Sequence, residues 1–514
     1  MKRFLAILLL VFMLASAVAC ADTQDDNFDE PLEVVSDLNE PNESTEVESE
    51  SNQPSESSDV REESDTFDES VWEDEKEFDG EFFQIGYSRA DITPDEPVYL
   101  DERTLLDEVK DPIYATCVAA YDGEDTVLIY TIDTKNIGPD EAKQIRAQIS
   151  TATKVPSENI MISPTHNHSV PKLGVLKNRT GNLNWTAKVH NALITAGREA
   201  IADLADAKIY TATGKTTGMA FVRRYLLADG TYTGIHNGNR STAPIVDYES
   251  EADDTVQVIR FVRDDKKDVL IANWQCHVAS AITENPNSIT ADMVGLARDW
   301  IENRDKDVLF ALYIGASGNI NLNAKVAGTQ VYTNYVQVGR ALGRVIIETC
   351  EDMERVHAGD ISVSYKNLEV EIRKDDAITV SRANEIALLR EGSRQYYALL
   401  YEYGFNSKYE VEAIIKRANA GKSENFYIAA LSFGDLGFVS VPYEMFDTNG
   451  MQVKEGSPFK MTFVLTNADG WAAYIPSAEA IPHGGYEVYT TRYVFGTAER
   501  VVEELLGMLK EQVK

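Results

Sequence analysis

The densest chemistry in the chain lies in Ser163-Pro164-Thr165-His166-Asn167-His168-Ser169-Val170-Pro171, which carries two of the seven histidines. Pro164 cannot donate to a β-ladder, so it closes the β-rich run Ile160 to Ser163 and leaves both histidines in a loop at a strand's C-terminal end. If that loop stays extended, side chains at i and i+2 point the same way, and two imidazoles on one side make part of a metal site. One ring packed and the other solvated explains an isolated His-x-His equally well. The decision rests with residues elsewhere.

Four further groups follow strand-like runs. Val269 to Trp274 leads to His277, Phe310 to Ile314 to Ser317, Gly437 to Val441 to Glu444, and Met461 to Leu465 to Tyr474. In open α/β sheets ligands bind outside the carboxyl ends of strands, so residues distant in sequence can meet in one crevice. No His-Glu-x-x-His pair is present, which removes a helix-borne zinc site and leaves one assembled from strand ends. Each residue also has a plainer role: a loop carboxylate for Glu444, packing beside Trp471 for Tyr474. Asp133 and Asp292 are either partners of the histidines or capping and strand-end groups. His190, His236, His357 and His483 read as structural or surface residues.

The elements that must position these groups alternate between strand and helix patterns. Phe83 to Thr93, Ala115 to Tyr121, Val127 to Ile132, Lys208 to Thr211 and Val256 to Val262 read as further strands. Phe221-Val222-Arg223-Arg224-Tyr225 and Asp229-Gly230-Thr231-Tyr232 read as strand and turn. Helices are expected over Asp140–Ser150, Thr186–Ala205, Asp292–Asn303, Tyr332–Glu351, Ala377–Tyr403 and Glu499–Glu511. The expectation is an α/β fold of mixed β-sheets flanked by helices, with the site at strand C-terminal ends.

Met1 to Ala19 has a basic front and an apolar run of signal-peptide length, too short for a confident membrane span. Ala17-Val18-Ala19-Cys20 resembles the lipobox of bacterial lipoproteins, so residues 1–20 are expected to direct export and Cys20 to take up lipid. An ordinary secretory signal is the alternative. Residues 21–80 carry 24 acidic and two basic side chains. So few large apolar groups cannot offset chain entropy, and a disordered acidic tether is expected there. Setting aside −22 in that segment and +2 from Lys2 and Arg3, the chain's net charge of −36 leaves −16 for residues 81–514. No basic stripe is present, which argues against nucleic acid as a partner. With Cys20 set aside, Cys117, Cys276 and Cys350 remain, an odd number that argues against a disulfide framework.

From Phe83 to the C-terminus the chain resembles the neutral/alkaline non-lysosomal ceramidases, zinc-dependent amidases that cleave ceramide to sphingosine and fatty acid. Gly86-Tyr87-Ser88-Arg89-Ala90-Asp91-Ile92-Thr93 is similar to that family's opening strand, and Thr165-His166-Asn167-His168-Ser169 to its Thr-His-x-His-Ser loop. Asn273 to His277, Gly315-Ala316-Ser317-Gly318-Asn319, Val441-Pro442-Tyr443-Glu444 and Ala473-Tyr474-Ile475-Pro476 are similar to its remaining site segments. In the serine segment Gly315 and Gly318 replace an Asp and a Pro common in the family. The resemblance implies residues 81–514 as a catalytic domain, with zinc on His166, His277, Glu444 and Tyr474. It also implies His168 beside the metal, Ser317 on the reacting group, and Arg223, with Arg224 as the alternative, on the substrate.

Such a ligand set suits zinc, whose bound water can reach a pKa of about 7 and attack an amide carbonyl. Ser317 reads as a polariser rather than a nucleophile, because a zinc-bound histidine is not free to act as its base. The expected function is a zinc-dependent hydrolase of an N-acyl amide, with a small-molecule or lipid substrate. It would be exported to the cell surface or periplasm and touch a bacterial membrane through the N-terminal anchor alone. Two alternatives stand beside it: a zinc hydrolase of another amide or ester, such as an acylated sugar or peptide, and a lipoprotein that binds a ligand without turnover.

Overall fold

A computed structural model of the chain describes residues 82–236 and 241–513. The expected leader, the acidic tether and Cys20 lie outside the described residues. Numbering the longer elements in chain order, the first sheet comprises β1 (Gln84–Asp91), β2 (Tyr114–Tyr121), β3 (Thr126–Ile132), β4 (Ile160–Pro164), β5 (Ala205–Lys215), β6 (Thr255–Arg263), β7 (Asp268–Trp274) and β8 (Val308–Ile314). Their order across the sheet is β8-β7-β6-β5-β1-β2-β3-β4, with the short strand Glu354–Val356 pairing β5 as a ninth member. Most neighbours are antiparallel, but β3 and β4 run parallel, as do β7 and β8.

The second sheet has four strands, β9 (Ile361–Glu371), β10 (Ser423–Phe433), β11 (Leu436–Ser440) and β12 (Met461–Leu465), in that order. Its last pair, β11 and β12, is also parallel. Side-chain alternation in β10 shows how the layers form. Ala429, Leu431 and Phe433 face a core shared with the first sheet, among them Phe83, Ile129, Phe261 and Tyr313. Phe426, Ile428 and Ala430 face the other way, onto Val501, Leu505 and Leu509 of the closing helix, Thr497–Gln512. Helices Pro139–Thr153 and Thr180–Ala202 cover one part of the first sheet's outer face, and Asp292–Arg304 with Tyr335–Thr349 another. The result is four layers, helix, sheet, sheet, helix, each interface apolar because the strand period of two gives every sheet two buried faces. The expected mixed α/β fold is thus observed.

Two local expectations need correction. Ala377–Tyr403 is not one helix: Ala377–Ala387 and Arg394–Glu402 are separated by a turn in which Gly392 has φ +79°. The helix expected from Thr186 begins a turn and a half earlier, at Thr180. Cys117, Cys276 and Cys350 are all buried and unbridged. Among the described residues no helix is long and apolar enough to cross a membrane.

Candidate metal centre

Each parallel pair of strands ends both members at the same edge, and the three pairs deliver the site. β4 leads into His166, β7 into His277 and β8 into Ser317. β11 leads to Glu444 and β12 to Tyr474, where two-residue strands Glu444–Met445 and Tyr474–Ile475 pair in parallel with Glu444 opposite Tyr474. Residues 308 positions apart in the chain therefore share one buried point.

His166 Nε2 lies 3.4 Å and His277 Nε2 3.1 Å from Glu444 Oε2. His168 Nε2 is 3.3 Å from His166 Nε2, and one nitrogen from each of the three imidazoles falls within 4.8 Å of the others. Tyr474 Oη and Arg223 Nη1 each stand 3.4 Å from His277 Nε2. All six side chains are buried, none above 5% exposed.

The backbone fixes which imidazole nitrogens face inward. His166 Nδ1 contacts the Lys135 carbonyl at 2.9 Å, and His277 Nδ1 the Ser317 carbonyl at 2.7 Å and that of Ile320 at 3.1 Å. A carbonyl only accepts, so Nδ1 carries the proton on both rings and, in the neutral rings, both Nε2 lone pairs point at Glu444 Oε2. The other carboxylate oxygen, Oε1, accepts from Trp471 Nε1 at 3.1 Å. Acceptors converging at this distance repel unless positive charge sits among them. A proton on His277 is disfavoured: burial and the Arg223 guanidinium hold its pKa below the usual imidazole value. Burial opposes ionisation of Glu444, but positive charge or an N–H on the facing His166 and His277 rings outweighs burial and holds the carboxyl well below the usual range; with the rings neutral, a bound cation has to supply that charge. A carboxylate with two inward neutral imidazoles and a phenol oxygen is a donor set suited to a borderline divalent cation.

The histidine loop reaches this arrangement differently from the extended expectation. His166 has φ +56°, in the left-handed region, so its ring meets that of His168 through a turn and not through strand alternation, edge to face with centroids 4.9 Å apart. Such a conformation costs of order 1–3 kcal/mol and needs surrounding contacts to hold it. They come from all sides: His168 N donates to Val278 O at 2.9 Å, Asn167 N to Thr134 O at 3.1 Å, and Asn167 Nδ2 to Thr290 O at 2.7 Å. In the serine segment, Gly318 N donates to Met445 O at 2.8 Å, and a Cβ at Gly318 would stand 2.5 Å from the Glu444 carbonyl oxygen. Only glycine lets the Ser317 loop come this close to Glu444.

The structure separates the two arginines. Arg223 faces His277 and lies over the Tyr474 ring at 5.3 Å, whereas Arg224 turns away into Glu249, Glu487 and the carbonyls of Ala480 and Gly484. The Ser317 contact at the centre is its carbonyl on His277. Asp133 and Asp292 do not support the histidines. Asp133 accepts from Tyr114 N and Arg298, and Asp292 from the backbone of Ala281 and Met293. The supporting groups are backbone carbonyls, which carry no signature in side-chain identity, together with Trp471 and Glu487. Of the remaining histidines, His190 pairs with Glu141 and His483 with Glu249, while His236 sits against Tyr409 and Tyr486.

No family model matches the sequence, and no curated protein matches it at the sequence level. Solved structures do match in fold. The crystal structure of the neutral ceramidase from Pseudomonas aeruginosa aligns with a TM-score of 0.63 at 15% identity, covering 84% of this chain and 74% of that one. A ceramidase solved as a complex with C2 aligns at 0.61 and 16% identity, over 84% and 76% of the two chains. This chain thus has the fold of those ceramidases, with a buried histidine group at its centre fit to hold a metal ion.

Proposed function

We propose that the protein is a zinc-dependent hydrolase of an N-acyl amide bond, with ceramide, giving sphingosine and fatty acid, as the first substrate to test. One observation carries the reading: two imidazoles with tautomers fixed by backbone carbonyls turn their Nε2 lone pairs onto a buried carboxylate oxygen. On this reading His166, His277, Glu444 and Tyr474 hold the ion. Zinc, when bound, supplies a Lewis acid and a water of pKa about 7. The chain's own residues do the rest. His168, beside His166, holds a proton that the leaving amine needs. Arg223 turns a permanent positive charge toward the carbonyl oxygen as negative charge builds there. Ser317 orients the reacting group from the loop that also fixes His277.

A second reading, hydrolysis of another amide or ester such as an acylated sugar or peptide, draws on the lining beside Tyr474. Tyr486 lies 5.5 Å from it ring to ring, and Tyr409 packs on Tyr486 with Ile235 against the cluster, so the side chains around Tyr474 are mainly aromatic. We also read the protein as exported and held to a bacterial membrane through lipid on Cys20, which the mass of the mature N-terminus tests. For the activity, the test is bound-metal analysis of the purified chain followed by assay of fluorogenic N-acyl substrates, lipid and non-lipid, with and without a chelator. Turnover that a chelator abolishes and zinc restores is expected. Chelator-insensitive turnover would remove the zinc mechanism, and bound zinc with no turnover would favour ligand binding.

A further inference from the structure

We infer that Glu487 is a positioning residue for the reaction: it fixes the Arg223 guanidinium against the candidate metal centre and balances its charge there. The inference rests on the hydrolase reading above. Glu487 is 1% exposed and bridges both arginines. Oε1 accepts from Arg223 Nε at 3.0 Å and Oε2 from Arg224 Nη1 at 3.0 Å. Arg224 is itself clamped, with Nε and Nη2 on Glu249 at 2.5 and 2.8 Å and Nη2 on the carbonyls of Gly484 and Ala480 at 2.7 and 3.1 Å. Glu249 also meets His483 Nδ1 at 2.7 Å. The series therefore runs Glu249, Arg224, Glu487, Arg223, and ends at His277 Nε2.

The geometry gives Arg224 and Arg223 different tasks. Arg224 gives Nη1 to Glu487 while its other donors are fixed on Glu249 and two carbonyls, and Glu487 then holds Arg223 by Nε, which limits rotation of its planar guanidinium. That leaves the Nη1 edge directed at the centre. The local chain is shaped for this. Gly484 and Gly485, with φ +65° and +97°, wrap the turn around Arg224, and a Cβ at Gly485 would lie 2.4 Å from Arg224 Nη1. The short helix Tyr486–Thr490 follows at once and presents Glu487 inward. The buried quartet holds two positive and two negative charges. Without the Glu487 charge, an uncompensated guanidinium would stand beside the cation.

The full chain carrying Glu487→Gln, Arg223→Ala, both together, or Glu249→Gln tests this. Four quantities are read: zinc affinity by competition with a chelator, kcat and KM at saturating zinc on a fluorogenic N-acyl substrate, and Tm of the metal-free protein. E487Q is expected to weaken zinc about 10- to 100-fold and lower kcat by a similar factor, with KM little changed. R223A is expected to strengthen zinc, the double variant to fall between the two, and its kcat to be no lower than that of R223A. E249Q, one pair further out, should lower Tm with zinc affinity within about threefold of wild type, since the field falls with distance. Should E487Q not fold, Glu487→Asp keeps the charge but withdraws the carboxylate, and it should lose kcat while retaining zinc affinity. Wild-type zinc affinity and kcat in E487Q, or a double variant whose kcat falls below that of R223A by the full E487Q factor, would overturn the role of Glu487. A wild-type chain that binds zinc but turns over no substrate defeats the hydrolase reading alone, because the zinc measurements still decide the positioning claim.

Discussion

Gly318→Ala is the sharpest test of how the centre is built. A methyl there would lie 2.5 Å from the Glu444 carbonyl oxygen and 2.9 Å from its carbonyl carbon and from Met445 O. Ordinary contact begins near 3.4 Å, so loop and strand must separate by roughly 1 Å, a displacement that costs about 100-fold in rate when it reaches reacting groups. The obstacles are backbone atoms and cannot swing aside. Gly318 φ is not positive, so alanine meets no dihedral penalty and the effect is purely steric. The same movement shifts both supports of the centre, because Ser317 O holds His277 while Glu444 Oε2 faces that ring at 3.1 Å. Overpacking costs about 1–3 kcal/mol of stability, and a shifted metal centre about 10- to 100-fold in zinc affinity. The assays are differential scanning of the metal-free protein and chelator competition for zinc. Gly507→Ala serves as the control: it lies in the closing helix with nothing within 4 Å of its added methyl, and should leave zinc binding untouched. A G318A protein with wild-type Tm and zinc affinity would refute the close approach of the Ser317 loop to Glu444.

Other outcomes follow from the same geometry. His168→Ala should keep zinc affinity within about tenfold while kcat falls about 100-fold or more, in the range of a lost proton-transfer group; loss of zinc binding instead would make His168 a ligand. Trp471→Phe removes the donor to Glu444 Oε1, a hydrogen bond to a charged group worth about 1.5–3 kcal/mol. It should lower both metal-free Tm and zinc affinity, and an unchanged chelator titration would contradict that. Acid should loosen the centre. The His277 pKa is depressed from 6.5 and that of Glu444 from 4.5, so the unfolded chain binds protons first at both positions. Stability therefore falls as pH drops, beginning below about 6.5 through His277 and continuing below about 4.5 through Glu444. Zinc affinity, which needs both imidazoles neutral, should fall in the upper window; a pH-independent affinity between 7 and 5 would exclude His277 as a ligand.

The sequence by itself determined the class of the fold and which polar residues follow the ends of its strands. Apolar runs of strand length, closed by Pro164 or leading into Gln275-Cys276, Gly315 and Pro442, mark the ends of four strands, and His166, His277, Ser317 and Glu444 follow them. This was legible because strand periodicity and proline's missing donor act within a few residues. Tertiary structure decided the rest. Three parallel pairs, β3 with β4, β7 with β8 and β11 with β12, bring those ends to one edge, and sheet order is not written in local propensity. It turned Arg223 and not Arg224 toward His277, gave His166 a left-handed turn, moved ring support from Asp133 and Asp292 to the carbonyls of Lys135 and Ser317, and recruited Trp471 and Glu487. Each of those choices depends on hydrogen bonds and close contacts between segments far apart in the chain, and such contacts exist only once the layers have packed.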